Sequence, residues 1–270
     1  MGTDQVGREQ PTDARASRHE PRLRLLVLGS GYSSLSIACL EAVARVGEVV
    51  LVGVDRPKVD PLRVRLRRWA RAHGLVFVAR RVAWQLYSQA RLGLRRLGVP
   101  LPGAMTLWEM ARALRAPAVP CPDPNAPAFV EEVRRLRVDL IVVVAHGRIL
   151  KPPLIETPRL GCINVHPALL PRYRGPNPLY WVLANGEATT GVTVHHIDAG
   201  IDTGDIILQR PVAVRAGDTE MTLQDRASGV AAALVAEAVR LLGEGHAPRT
   251  PQDESQASYY GRPPLGASRF

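Results

Sequence analysis

LRLLVLGSGYSSLSIACLEAVARVGEVVLVGV, residues 23–54, opens with a short apolar run that ends in glycine at 29, the pattern of a strand buried on both faces. From 33 to 45 the apolar residues Leu35, Ile37, Ala38, Leu40, Ala42 and Val43 follow helical spacing, with Ser33 or Ser34 placed to cap the first turn. Residues 49–54 (VVLVGV) form a second buried run. Strand, helix, strand in this order predicts a βαβ unit, and with it an α/β domain built on a mostly parallel, Rossmann-like sheet flanked by helices.

Working outward, residues 106–114 and 126–136 carry helical patterns, and the prolines of 117–120 hold that piece extended. DLIVVVA at 139–145 and GCINV at 161–165 are further buried strands. GVTVHHID (191–198) and IILQRPV (206–212) are β-rich runs joined by AGIDTGD, whose glycines and aspartates favour a tight connection. A long alanine- and leucine-rich helix is expected over 219–242, and a surface segment rich in proline, serine and glycine over 246–270. Residues 1–21 are polar with scattered charges, predicting a disordered tail and no secretory signal. The compact domain then covers 22–245, interrupted at 61–103 by a helical insertion of two basic amphipathic stretches.

That insertion explains the charge balance. The net charge is +10, yet residues 61–96 hold ten arginines with no lysine or acidic residue, and without them 25 Lys and Arg face 25 Asp and Glu. A basic segment on a neutral domain points to an acidic partner, either a carrier protein or an anionic membrane surface, more than to nucleic acid. Cys39, Cys121 and Cys162 lie too far apart for a disulfide framework or a zinc spacing, which suits a reducing cytoplasm. No apolar run is long enough to span a bilayer.

Two stretches carry chemistry. In GCINVHPALLPRYRG (161–175), Asn164 and His166 share one face of a strand and can point together into the crevice beyond its carboxyl end. An amide beside an imidazole can hydrogen-bond a developing oxyanion and handle a proton at one carbonyl carbon. In GVTVHHIDAGIDTGDIILQ (191–209), Asp198, Asp202 and Asp205 sit on a glycine-containing connection from which a carboxylate can orient an imidazole. Taken singly, each stretch is better served by a capped strand end or a solvated loop.

Together they resemble the folate-dependent formyltransferase family, which includes the glycinamide ribonucleotide enzyme and the catalytic domain of the methionyl-tRNA enzyme. The resemblance rests on Asn164 and His166, then Leu169-Leu170-Pro171 and Arg174-Gly175, then Ile201-Asp202-Thr203-Gly204, with DLIVVVAHGRIL (139–150) similar to the family's strand and loop beside the folate. It implies Asn164 as donor to the formyl oxygen, His166 as proton carrier or imidazolium, and Asp202 as the group that orients His166. It implies 10-formyltetrahydrofolate as co-substrate, with no metal, held by Val144, Ala145, His146, Gly147, Arg148, Ile149, Leu150 and Ile155. Ile197, Asp198, Ala199, Gly200 and Ile201 would form the opposite wall. The acceptor side would include Ser30, Tyr32, Tyr173, Arg174, Asn177 and His195.

The loop GSGYSS (29–34) lacks the third glycine of a dinucleotide fingerprint, and also the asparagine pair of the ribonucleotide enzyme's phosphate loop. TPQDE (250–254) resembles the start of the linker to the methionyl-tRNA enzyme's second domain, but only sixteen residues follow it. The layout is therefore closest to small-molecule N-formyltransferases, with an amino sugar, an amino acid or a carrier-bound amine as acceptor. A methionyl-tRNA-type enzyme without the C-terminal domain, a formyltetrahydrofolate hydrolase and a non-catalytic folate-binding regulatory domain are the alternatives.

Overall fold

The computed structural model describes residues 22–55, 106–121 and 123–264. The predicted tail and the arginine-rich insertion lie outside the described residues. Seven strands form one sheet in the order β3-β2-β1-β4-β5-β6-β7: β1 (Arg24–Ser30), β2 (Glu48–Asp55), β3 (Ala118–Pro120), β4 (Leu140–Val144), β5 (Cys162–His166), β6 (Thr189–His196) and β7 (Ile206–Ala213). The first five run parallel, and β6 and β7 are antiparallel to their neighbours.

The central strands read as unbroken apolar runs because both of their faces are covered. Leu25 and Val27 of β1 face one core, whereas Leu26 and Leu28 face the other. The first core lies under α1 (Ser34–Val46), α2 (Leu107–Ala113) and the long α6 (Glu220–Gly243); α1 and α6 pack together, and Leu35, Cys39 and Val43 of the one and Ala227, Ala231 and Leu234 of the other belong to this core. The second is closed by α3 (Pro127–Arg135), which contributes Val130 and Val133. Ser33 caps α1, its side chain accepting from the Ser36 N–H at 3.3 Å. All three cysteines are buried, and burial pushes each thiol up to about 12, so they are neutral packing groups.

Two short helices, α4 (Pro152–Ile155) and α5 (Pro178–Ala184), have no counterpart in the sequence reading. Each begins at a proline, preset for a first turn, and neither is long enough to show a period. Pro211 sits within β7, which is tolerated because β7 is an edge strand. The β6–β7 connection is a longer loop than the tight turn expected, and it is folded by Asp198, whose Oδ1 accepts from the Gly200 N–H and the Thr203 hydroxyl. The segment after α6 runs over the surface as expected, but is hydrogen-bonded into the domain. Arg174 pairs with Tyr259, Ile206 pairs with Thr250, and a turn of 3-10 helix covers Glu254–Gln256.

β1 leads to β2 on one side, while β4 lies on its other side. In open α/β sheets this reversal of strand order leaves a crevice beyond the carboxyl ends of the strands. The candidate site lies there.

Candidate active site

Asn164 and His166 lie two residues apart on β5 and both line a cavity of about 510 Å³. Asp202 reaches the same wall from the β6–β7 loop, its backbone left-handed at φ 55°. Its Oδ2 accepts from the Gly175 N–H at 2.8 Å and lies 3.6 Å from His166 Nδ1. Its Oδ1 lies 3.3 Å from Asn164 Nδ2 and 3.6 Å from His195 Nε2. Gly204 permits this turn, since a Cβ there would lie 2.0 Å from the His196 carbonyl.

The hydrogen bonds fix the protonation pattern. His166 Nε2 is 2.8 Å from the Tyr173 carbonyl, which can only accept, so Nε2 carries the proton and Nδ1 is the free nitrogen facing Asp202. His195 Nδ1 likewise donates to the His196 carbonyl at 2.7 Å, leaving Nε2 to accept from Asn164 Nδ2 at 3.1 Å. Asn164 and His195 are direct partners across β5 and β6, and a register irregularity falls between Val194 and His195, the kind of bulge that re-aims side chains near sites. The Asn164 amide is thus oriented with its nitrogen toward Asp202 and His195.

Burial pushes the His166 imidazole below the ordinary histidine range; the Asp202 carboxylate pulls it up and His195 opposes protonation, and burial prevails. Burial by itself would raise Asp202. The two imidazoles and the Gly175 N–H outweigh it and hold the carboxyl at about 2. The resting site is therefore a neutral imidazole beside a carboxylate, a base rather than a standing cation.

The remaining expected residues divide. Ala145, His146, Gly147, Arg148, Ile149 and Leu150 form one wall, and Ile197, Asp198, Gly200 and Ile201 another. His146 lines this wall, and both of its ring nitrogens are buried. Val144, Ile155 and Ala199 do not line the cavity: Val144 points into the core beneath α1, Ile155 packs in the second core, and Ala199 is exposed beside the rim. On the acceptor side Asn177 and His195 line the cavity, whereas Ser30, Tyr32, Tyr173 and Arg174 do not. Ser30 ends β1, its N–H held by the Ser36 hydroxyl; Tyr32 is 75% exposed. The Tyr173 hydroxyl is bonded to Glu187, and Arg174 is buried against Gln252 and Glu254. Lining residues that the sequence reading missed include Ser33 and Leu35 at the start of α1, Glu220 and Gln224 at the start of α6, and Tyr259 and Arg262 near the C-terminus. The Ser33 cap was the only signal for any of them, because the others depend on elements meeting from distant parts of the chain. Among the described residues no group of His, Cys, Asp and Glu could hold a metal ion, and no helix is long and apolar enough to cross a membrane.

Residues 122–239 match the family model described as Formyl transferase. Over 149 residues the chain is 46% identical to the methionyl-tRNA formyltransferase of Syntrophus aciditrophicus (strain SB), covering 55% of this chain and 48% of that one. It is also 46% identical to the methionyl-tRNA formyltransferase of Clostridioides difficile (strain 630) over 131 residues, 48% of this chain and 42% of that one. The chain thus spans about half the length of the curated relatives it matches. Glycinamide ribonucleotide transformylase 1 from Symbiobacterium toebii shares the fold at TM-score 0.60 and 24% identity, over 86% of this chain and 93% of that one. The N-formyltransferase from Helicobacter canadensis, solved with folinic acid and dTDP-3-aminofucose, does so at TM-score 0.59 and 19% identity, over 89% and 71%. The segment at 122–239, which carries Asn164, His166 and Asp202, is thus similar to the formyl transferase family.

Proposed function

We propose that this protein transfers the formyl group of 10-formyltetrahydrofolate to a primary amine. The observation that carries the reading is the convergence of Asn164, His166 and Asp202 on one wall of a ligand-sized cavity. The donor would lie between the 145–150 and 197–201 loops. Two structural relatives were solved with folinic acid or 5-N-formyl-THF, which supports this choice of donor.

The amine nitrogen attacks the formyl carbon. Asn164 donates to the formyl oxygen as negative charge develops there, exchanging its longer 3.3 Å contact to Asp202 for this new one. His166 accepts the amine proton at Nδ1, its ring held by the Tyr173 carbonyl, and Asp202 stabilises the imidazolium that forms. As the bond from the formyl carbon to the folate nitrogen breaks, that nitrogen takes up the proton from His166. Water in place of the amine would give formate instead.

For the acceptor, the relatives at 46% identity favour methionyl-tRNA over the small amines that the layout of the sequence first suggests. The test is incubation with 10-formyltetrahydrofolate and a panel of methionyl-tRNA, glycinamide ribonucleotide, nucleotide-linked amino sugars and free amino acids, followed by mass spectrometry. One N-formylated product is expected. Free formate alone would establish a hydrolase, and an untouched donor with every acceptor would refute the reading.

A further inference from the structure

We propose that Gln252, on the segment after α6, is a positioning residue for this reaction: its side-chain amide holds the Asp202 turn so that the carboxylate faces both imidazoles. This rests on reading Asn164, His166 and Asp202 as the reacting groups. Gln252 Nε2 donates to two carbonyls of that turn, Asp202 at 2.9 Å and Gly204 at 2.8 Å. Its Oε1 accepts from Arg174 Nε at 3.1 Å and Nη2 at 2.8 Å. Arg174 precedes Gly175, whose N–H holds the Asp202 carboxylate. One amide therefore ties together the two backbones that place Asp202, and only an amide offers two donors and an acceptor at this reach.

The rest of the segment anchors that amide. Glu254 binds the other edge of the Arg174 guanidinium at 2.9 and 2.6 Å. The Arg174 N–H donates to the Ser258 carbonyl and the Tyr260 N–H to the Arg174 carbonyl, both at 2.9 Å. Tyr260 stacks on Tyr173 with centroids 5.1 Å apart and planes 12° from parallel, and it is the Tyr173 carbonyl that holds His166. The C-terminal segment thus touches Asp202 directly and, through Tyr173, the residue that holds His166. Left-handed backbone at a non-glycine residue persists only where its surroundings enforce it, and at Asp202 the Gln252 bond to the carbonyl is part of that enforcement.

Two variants test the idea. Gln252→Glu keeps an acceptor for Arg174 but has no donor for the Asp202 and Gly204 carbonyls; Gln252→Leu keeps the bulk and loses both. In each, kcat should fall on the order of 100-fold, the effect of a displaced catalytic group. Binding of 5-formyltetrahydrofolate should stay within about threefold, since a lower kcat at unchanged binding marks a loss confined to the transition state. Proton NMR titration of the His166 ring, which needs no turnover, should move to lower pH. Asp202 would have drawn away, while burial, His195 and the Tyr173 carbonyl remain. Thermal unfolding reports whether each variant folds, and if Gln252→Leu does not, Gln252→Glu decides alone. Wild-type kcat in Gln252→Glu overturns the proposal, as does a lower kcat with an unmoved titration, because the loss then does not pass through Asp202. Should the wild-type protein formylate no amine, the functional reading falls and the titration alone judges the role of Gln252.

Discussion

Replacing Asp202 with asparagine removes one negative charge and turns the acceptor that faces Asn164 Nδ2 into a donor. The side chain is 14% exposed, and an amide oxygen can still accept from the Gly175 N–H. What disappears is attraction for the proton that His166 takes up at Nδ1, 3.6 Å from Oδ2. Unit charges at that separation interact by about 5 kcal/mol at an effective dielectric near 20, an upper bound on what the imidazolium loses. Allowing for solvent and side-chain relaxation, the transfer step should slow by about 100- to 1000-fold. Single-turnover formyl transfer, followed from pH 5 to 9 alongside binding of 5-formyltetrahydrofolate, measures this. The wild-type rate should rise with pH to a plateau reached below the ordinary histidine range, because burial holds His166 neutral. In Asp202→Asn the plateau should drop and its onset shift to lower pH, since the carboxylate was the group that raised His166. A variant whose plateau lies within about threefold of wild type would show that no imidazolium forms beside Asp202 and would refute the mechanism.

Other outcomes follow from the same contacts. Asn164→Ala removes the donor aimed at the formyl oxygen and should cost about 100- to 1000-fold in kcat with donor binding intact, checked by steady-state kinetics. Gly175→Ala places a Cβ 2.3 Å from the Tyr260 carbonyl at φ +100°, so urea unfolding should show a loss of at least about 1–3 kcal/mol; an unchanged midpoint would mean that the C-terminal segment is not packed there. Asp202 is held at about 2 against an ordinary value of 3.8, so its folded-state carboxylate contributes about 2 kcal/mol above pH 4, lost as pH falls through 2. The stability difference between wild type and Asp202→Asn should therefore shrink as pH falls from 4 through 2, read by denaturant unfolding at each pH.

The sheet was legible where physics makes it local. β1, β2 and β4 announce themselves because burial on both faces leaves them nothing but apolar residues, and α1 and α6 because they cover a core with a periodic stripe. The pairing of Asn164 with His195 was not legible, because it depends on antiparallel register and a bulge, which no residue pattern encodes. His195, expected on the acceptor side, lines the cavity and also bonds Asn164. Tyr173 and Arg174 were expected in the acceptor pocket because they adjoin the motif. A segment more than seventy residues later covers them, and its proline, serine and glycine read as surface because its hold depends on residues far away in the chain. Among the predicted walls, Val144 missed for a simpler reason: on a strand, the residue beside one that faces the crevice faces the core.

The facing positions of Asn164 and His195 carry a consequence for how such a protein can diversify. The distance between those two groups is set by interstrand spacing in the middle of a hydrogen-bonded ladder, whereas Glu220, Gln224, Tyr259 and Arg262 are contributed by a helix end and a trailing segment. Insertions or exchanges at the periphery leave the ladder unchanged, so new molecular clients can be recruited around a fixed reaction centre without reinventing its chemistry.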